Sequence, residues 1–215
     1  MRSQHLIAVL SLLAFSSSVD AKSLKKMNEG ELIEMVENHR RVSKRLDAIA
    51  ELGRRGLTSS SPALAARCQE DPSEEICAAV VTSLIQMDAD ESREHLLEIL
   101  RQIAAPESQR SAALNELLIS GKDLLRGAIG EILASYRQLP PTLGKEVISA
   151  LIPLGKTDLA DLSVWIAKDS DAARPHRIAA LRVAEHFKPP RLWEAWIGLL
   201  DDPDSRTRAH CVEQL

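Results

Sequence analysis

A basic residue opens the same apolar pattern again and again along this chain of 215 residues. The clear copies start at Arg45 (Arg-Leu-Asp-Ala-Ile-Ala-Glu-Leu), Arg110 (Arg-Ser-Ala-Ala-Leu-Asn-Glu-Leu), Arg177 (Arg-Ile-Ala-Ala-Leu-Arg-Val-Ala) and Arg208 (Arg-Ala-His-Cys-Val-Glu-Gln-Leu). Weaker copies start at Cys77 and Lys145, so successive starts are 32, 33, 35, 32 and 31 residues apart. A period of this length marks a stack of helical hairpins, each too small to bury its apolar face alone. No segment sustains strict alternation of apolar and polar residues, so no sheet is expected.

Aligned on their starts, the six segments share apolar columns. The fourth position reads Ala48, Val80, Ala113, Ile148, Ala180, Cys211, and the eighth reads Leu52, Leu84, Leu117, Ile152, Ala184, Leu215. The fifth reads Ile49, Val81, Leu114, Ser149, Leu181, Val212. Offsets of one and four residues put these columns on one helical face. Gly53, Gly121 and Gly155 follow three of the segments, where a left-handed residue would end a helix. A second amphipathic helix precedes each segment, which gives helix pairs near 29–53, 62–86, 91–119, 123–153, 157–186 and 190–215. Pro72, Pro106, Pro140, Pro175, Pro189 and Pro203 punctuate the chain at the hairpin turns or just beyond them. Hydrophobic residues make up 45% and aromatic residues only 3%, which suits a core of Leu, Ala, Ile and Val in closely packed helices.

The N-terminus reads as a separate object. Arg2 precedes an apolar run from Leu6 to Phe15, and Val19 and Ala21 are small residues where a signal peptidase reads. Residues 1–21 are therefore expected to be a secretory signal, and the run is short for a membrane anchor. This places the mature chain, 22–215, in the periplasm or the secreted space, with no membrane insertion after cleavage. Disulfides can form there. Cys68 and Cys77 face each other across a helical turn and would be either bonded or packed as two buried thiols. Cys211 falls in an apolar column and is expected to be buried.

The last two units match best. Trp165-Ile166 recurs as Trp196-Ile197, and Asp171 and Asp202 each stand six residues before Arg177 and Arg208. Here the chain resembles the HEAT repeats, a family of armadillo-like helical hairpins, over essentially all of its mature length. The resemblance implies an all-α, right-handed α-solenoid of about six hairpins. It also implies that Asp171, Arg177, Asp202 and Arg208 form a structural ladder of turn carboxylates and helix arginines. The other units depart from the pattern: Asp71 has Cys77 in the arginine place, Arg110 has Ala104 in the aspartate place, and Lys145 has Leu139. Broken rungs are expected there. The same resemblance favours inter-repeat packing, over a binding platform, for Trp165, Trp193 and Trp196.

The search for chemistry finds little. His39, His95, His176, His186 and His210 are scattered over different units, and no zinc, redox, nucleophile-elbow or phosphate-loop motif is present. No metal and no cofactor is expected. The net charge of -4, with Lys and Arg interspersed among Asp and Glu, gives no basic sleeve for nucleic acid. The expected function is a non-catalytic binding, scaffold or assembly role toward another protein. The alternative, carried by fold analogy alone, is a HEAT-type lyase such as the phycobilin lyases, or a cofactor-assembly accessory enzyme. In HEAT-type stacks the second helices line the concave face. That makes Asp47, Glu51, Ser83, Asn115, Glu116, Glu146, Arg182, His210 and Glu213 the expected partner-binding residues. Their acidic lean toward the N-terminal units points to a partner with basic character. Val212 and Leu215 lie in the apolar pattern at the last residues, which leaves truncation, a dimer through that face, or an exposed end as alternatives.

Overall fold

A computed structural model describes residues 23–71, 73–190 and 192–215. The expected signal, 1–21, lies outside the described residues. Every regular element among the described residues is helical. The chain forms two compact units that meet in sequence between His95 and Leu96.

The N-terminal unit contains α1 (Glu29–Asn38), α2 (Val42–Arg55), α3 (Ser61–Glu70) and α4 (Glu74–Met87). Helix α1 packs on α2 and α3 on α4, and the hairpins meet through α1 with α3 and α2 with α4. Helix α5 (Asp90–Arg101) carries the chain across the boundary. The C-terminal unit contains α6 (Glu107–Ser120), α7 (Lys122–Ala134), α8 (Pro141–Ser149), α9 (Leu151–Leu154), α10 (Ala160–Lys168), α11 (Arg174–Phe187), α12 (Leu192–Gly198) and α13 (Ser205–Gln214). Here α8 lies between α6 and α11, α10 packs on α11 and α12, and α12 packs on α13.

Local chemistry sets these limits. Helix α1 starts at a capping box: the Asn28 side chain accepts from the Glu31 N–H at 2.9 Å, and the Asn28 N–H donates to the Glu31 carboxylate at 2.7 Å. That exchange satisfies two N–H groups the helix itself leaves unpaired. Helix α2 ends at Gly56 and α9 at Gly155, both left-handed with φ 64°. Gly155 is the stop the sequence predicts. Gly53 is not a stop: it lies buried inside α2, and the helix continues to Arg55. Gly121 has φ -123° and is no left-handed cap either. Pro153 accounts for the break between α8 and α9, since it cannot donate to the Ser149 carbonyl four residues earlier.

The apolar columns form the core. Ala48, Val80, Ala113, Ile148, Ala180 and Cys211, the whole fourth column, are buried. The eighth column is buried at Leu52, Leu84, Leu117 and Ala184, half-buried at Ile152 and 62% exposed at Leu215. Val212 is exposed as well. Gly53 belongs to this packing. A Cβ built on it would lie 2.7 Å from the Ser83 Cβ, so α2 and α4 approach too closely for any side chain there. Ser83 uses the contact, donating its hydroxyl to the Ile49 carbonyl at 3.0 Å.

Gly53→Leu is therefore expected to cost about 1–3 kcal/mol through overpacking of the α2–α4 contact. Gly127→Leu, where a Cβ would meet nothing within 4 Å, is the control and should cost nothing by overpacking. Urea denaturation of both variants checks the difference.

Candidate functional site

The cationic side chains divide into those held by the fold and those left to the surface. The division is decided at the turns. Asp71, Asp169 and Asp202 each fold the turn around themselves by accepting a backbone N–H two residues on, from Ser73 at 3.0 Å, Asp171 at 3.1 Å and Asp204 at 2.8 Å. Their outer carboxylate oxygens then face arginines. Asp71 takes Arg45 from α2 at 2.9 Å and Arg67 from α3 at 3.0 Å. Asp202 takes the buried Arg177 of α11. Asp169 takes Arg137 in two parallel bonds of 2.8 and 2.9 Å, and the Tyr136 hydroxyl donates to it too.

This corrects the expected ladder in three ways. Arg177 pairs forward with Asp202 of the following turn, and not with Asp171 of the turn before it. Asp171 is exposed, at the outer limit of contact with Arg137 at 4.0 Å. The cause is turn length. Asp71 and Asp202 stand three residues before the next helix, but Asp169 stands five before Arg174, so counting back from Arg177 reaches the wrong aspartate. The rung expected to fail at Asp71 is intact, because its arginine comes from the preceding hairpin. Arg208 donates to the backbone carbonyls of Asp202 at 2.6 Å and Pro203 at 3.1 Å. Cys68 and Cys77 are joined as a disulfide across the Asp71 turn.

The electrostatics follow. Burial works to raise the Asp71 carboxyl, yet the Ser73 N–H, Arg67 and Arg45 outweigh it and hold it below the usual carboxylate range. The Arg137 hydrogen bond keeps Asp169 low against its burial, with Tyr136 helping. Glu51 is pulled down to about 2 by the Arg54 side chain, against burial and with aid from Arg55. Glu51 and Ser83 are thus not solvent-facing contact residues. Both are buried, Glu51 in ion pairs with Arg54 and Arg55 and Ser83 in its bond to α2.

The remaining expected contact residues separate. Asp47 is half-buried near Lys44. Asn115 and Glu213 are exposed, Glu116 accepts from the Ser120 hydroxyl at 2.6 Å, and Glu146 is half-buried on α8. Only Arg182 and His210 come into one place. They line two adjoining hollows of about 210 and 300 Å³ on the face of α8, α11 and α13, which share Arg174, Ile178 and Arg182. Lys145 and Ser149 bound one side, and Arg206, Thr207 and His210 the other. No carboxylate lines either hollow. Arg174 is paired with Asp204 at 3.0 Å, and His210 with Glu185. Lys145 and Arg206 make no ion pair among the described residues, nor does Arg182. Arg174, Ile178 and Arg182 recur every four residues along one stripe of α11, about 12 Å long at 1.5 Å per residue. That spacing was readable in the sequence. Lys145 and Arg206 were not, because the register placed Lys145 in the ladder and Arg206 outside every column.

A larger open groove of about 600 Å³ lies along α10 and α12. Trp165 is 54% exposed there and Trp193, on α12, is 55% exposed, so both present much of their rings to solvent. Trp165 meets Tyr136 edge-on at 5.8 Å between ring centres, with Arg137 at 5.9 Å over its ring. Charges of both signs alternate along this groove: Arg137 and Lys168 against Asp161, Asp169 and Glu194. Its lining is mixed in sign, whereas the lining of the α8–α11–α13 hollows is cationic.

Among the described residues no group of three or more His, Cys, Asp or Glu is placed to hold a metal ion. No protein-family model matches the chain, and no curated protein is similar to it in sequence.

Two measurements test this reading of the turns. Asp202→Ala strands the buried Arg177 guanidinium and is expected to cost about 3 kcal/mol, whereas Asp171→Ala should stay within about 0.5 kcal/mol. Equal losses by chemical denaturation would refute the corrected pairing. Carboxyls depressed in the folded state contribute stability that is complete above their unfolded values and lost as pH falls through the folded ones. Thermal midpoints should therefore be level from about pH 7 to 5 and fall between pH 4.5 and about 2, with a shallower fall in Glu51→Gln.

Proposed function

We propose that the chain is a non-catalytic binding protein, built as a HEAT-like α-solenoid, that holds an acidic segment of another polypeptide on the α8–α11–α13 face. One observation carries this: three cations without ion-pair partners among the described residues, Lys145, Arg182 and Arg206, flank an aliphatic floor that contains no carboxylate. What sets these three apart from the other unpaired cations is that they stand together around two adjoining hollows. A groove with one sign of charge steers an oppositely charged ligand and selects against like-charged ones. Pro175, Ile178, Ala179 and Leu181 give that ligand an apolar floor, which suits aliphatic side chains between the acids. Bases of nucleic acid would find no Trp, Tyr or Phe here to stack upon. The partner is thus acidic, the reverse of the basic partner the acidic N-terminal columns implied. A secreted or periplasmic location goes with this reading through the 1–21 segment.

The test is fluorescence anisotropy with labelled peptides in which Glu and Leu alternate, against matched peptides with Lys for Glu. The Glu peptide should bind and weaken as salt rises past the level where the Debye length is about 10 Å. Arg182→Glu should weaken it at least about tenfold, the loss of one charge-assisted contact. Binding of the Lys peptide instead, or an unchanged Arg182→Glu variant, would overturn the proposal.

A further inference from the structure

Arg110 is the largest fully buried side chain among the described residues, only 2% exposed, yet it has no carboxylate of its own. Its Nε donates to the Leu100 carbonyl at 2.9 Å, as Arg177 Nε does to Ala167 at 3.1 Å. The two arginines hold the same place in their hairpins, each at the same step after the carbonyl it binds. Arg177 then meets Asp202 of the next turn, and Arg45 meets Asp71 in the same way. The step from Arg177 to Asp202, taken from Arg110, reaches Ser135, and the step from Arg45 to Asp71, one residue longer, reaches Tyr136, so no acid stands at either place. Ser135 caps the C-terminus of α7 as Asp71 caps that of α3. Ser135 is therefore the residue at the place of the rung's aspartate that also lines the hollow beside Arg110.

The space has not closed. Arg110 and Ser135 line one hollow of about 230 Å³, with Gln138 and Leu139 beside them and the Arg101–Glu131 pair also on its lining. The nearest acid felt by Arg110 is Glu107, whose carboxylate is engaged by the Leu143 N–H at 3.2 Å and makes no ion pair with it. Burial accordingly pushes the Arg110 guanidinium below its ordinary value. A guanidinium presents a planar fork of donors matched to a carboxylate, and a buried one without an acid is costly. Gln138 adds an amide donor on the same lining.

We propose that this hollow is a carboxylate-binding site, in which a small organic acid or the acidic side chain of a bound polypeptide completes the rung that Ser135 leaves unfinished. The carboxylate sits against the Arg110 guanidinium as Asp202 does against Arg177. The site is separate from the α8–α11–α13 face and shares none of its residues.

Differential scanning fluorimetry of the full chain tests it, titrating sodium acetate against sodium chloride and sodium sulfate at matched ionic strength. Acetate should raise the melting temperature with a saturable midpoint on the order of millimolar, beyond any effect of the other salts. Because Arg110→Met could fail to fold, Ser135→Asp carries the decisive arm. It supplies the missing acid within the chain, so it should melt higher than the parent and lose the acetate response. A blocked Ala-Asp-Ala tripeptide, compared with Ala-Asn-Ala, distinguishes a peptide side chain from a free acid: stabilisation by both acetate and the Asp peptide admits the polypeptide source, and by acetate alone restricts the site to free acids. The proposal is overturned if acetate behaves as chloride does, if sulfate gives the saturable response instead, or if Ser135→Asp responds to acetate like the parent.

Discussion

The charged groups of this protein are governed by how an arginine rising from one hairpin meets the turn of the next. Such an arginine loses water on entering the helix packing, and the loss is recovered only if a carboxylate and backbone carbonyls take up its donors. Asp71 and Asp202 do this and also organise their own turns, because one carboxylate oxygen accepts a turn N–H and the other faces the arginine. Turn shape and arginine position are therefore one constraint. The disulfide between Cys68 and Cys77 closes the chain around the first of these turns. The α10–α11 turn, two residues longer, meets the same demand with Arg137, which comes from the 3-10 turn that follows α7.

The same pairing explains the surface. The chain is acidic overall, at -4, but net charge says little about a face on which the acids are already engaged. Glu51, Asp71, Asp169, Asp202 and Asp204 are each tied to arginine. The charged side chains that line the two hollows of α8, α11 and α13 are cationic. Long side chains such as Arg182 and Arg206 can cover the aliphatic floor with their stems and still present a charged head. Along α10 and α12 the unused charges are mixed, and the exposed Trp165 lies under an arginine that is already engaged.

The helices and the core were legible in the sequence because burial there follows a period. The fourth column is buried at all six positions, and the fifth fails at Ser149, where α8 ends, and at Val212. The pairing of charges was less legible. A count of six residues linked Asp171 to Arg177, whereas the bond runs forward to the next turn, across the boundary between one hairpin and the next. Gly53 misled for a related reason: a glycine near a helix end reads as a stop, but this one is required by Ser83, which approaches it from another helix. Ser83 and Glu51 fell on the surface stripe of an isolated helix and were buried by neighbours. Features set within one helix could be read; features set between hairpins could not.

Lys145 links the turns to the groove. It stands in the basic column, one repeat before Arg177, and by position it should reach the α10–α11 turn. It does not, because Asp169 is already held by the two bonds of Arg137 and by Tyr136. Lysine, a single point charge, competes poorly with a planar fork for one carboxylate. Lys145 is therefore exposed beside Ser149, where it joins Arg182 in lining a single hollow. The α10–α11 turn takes its cation from the 3-10 turn after α7, and Lys145 of α8 stays on the lining of the groove.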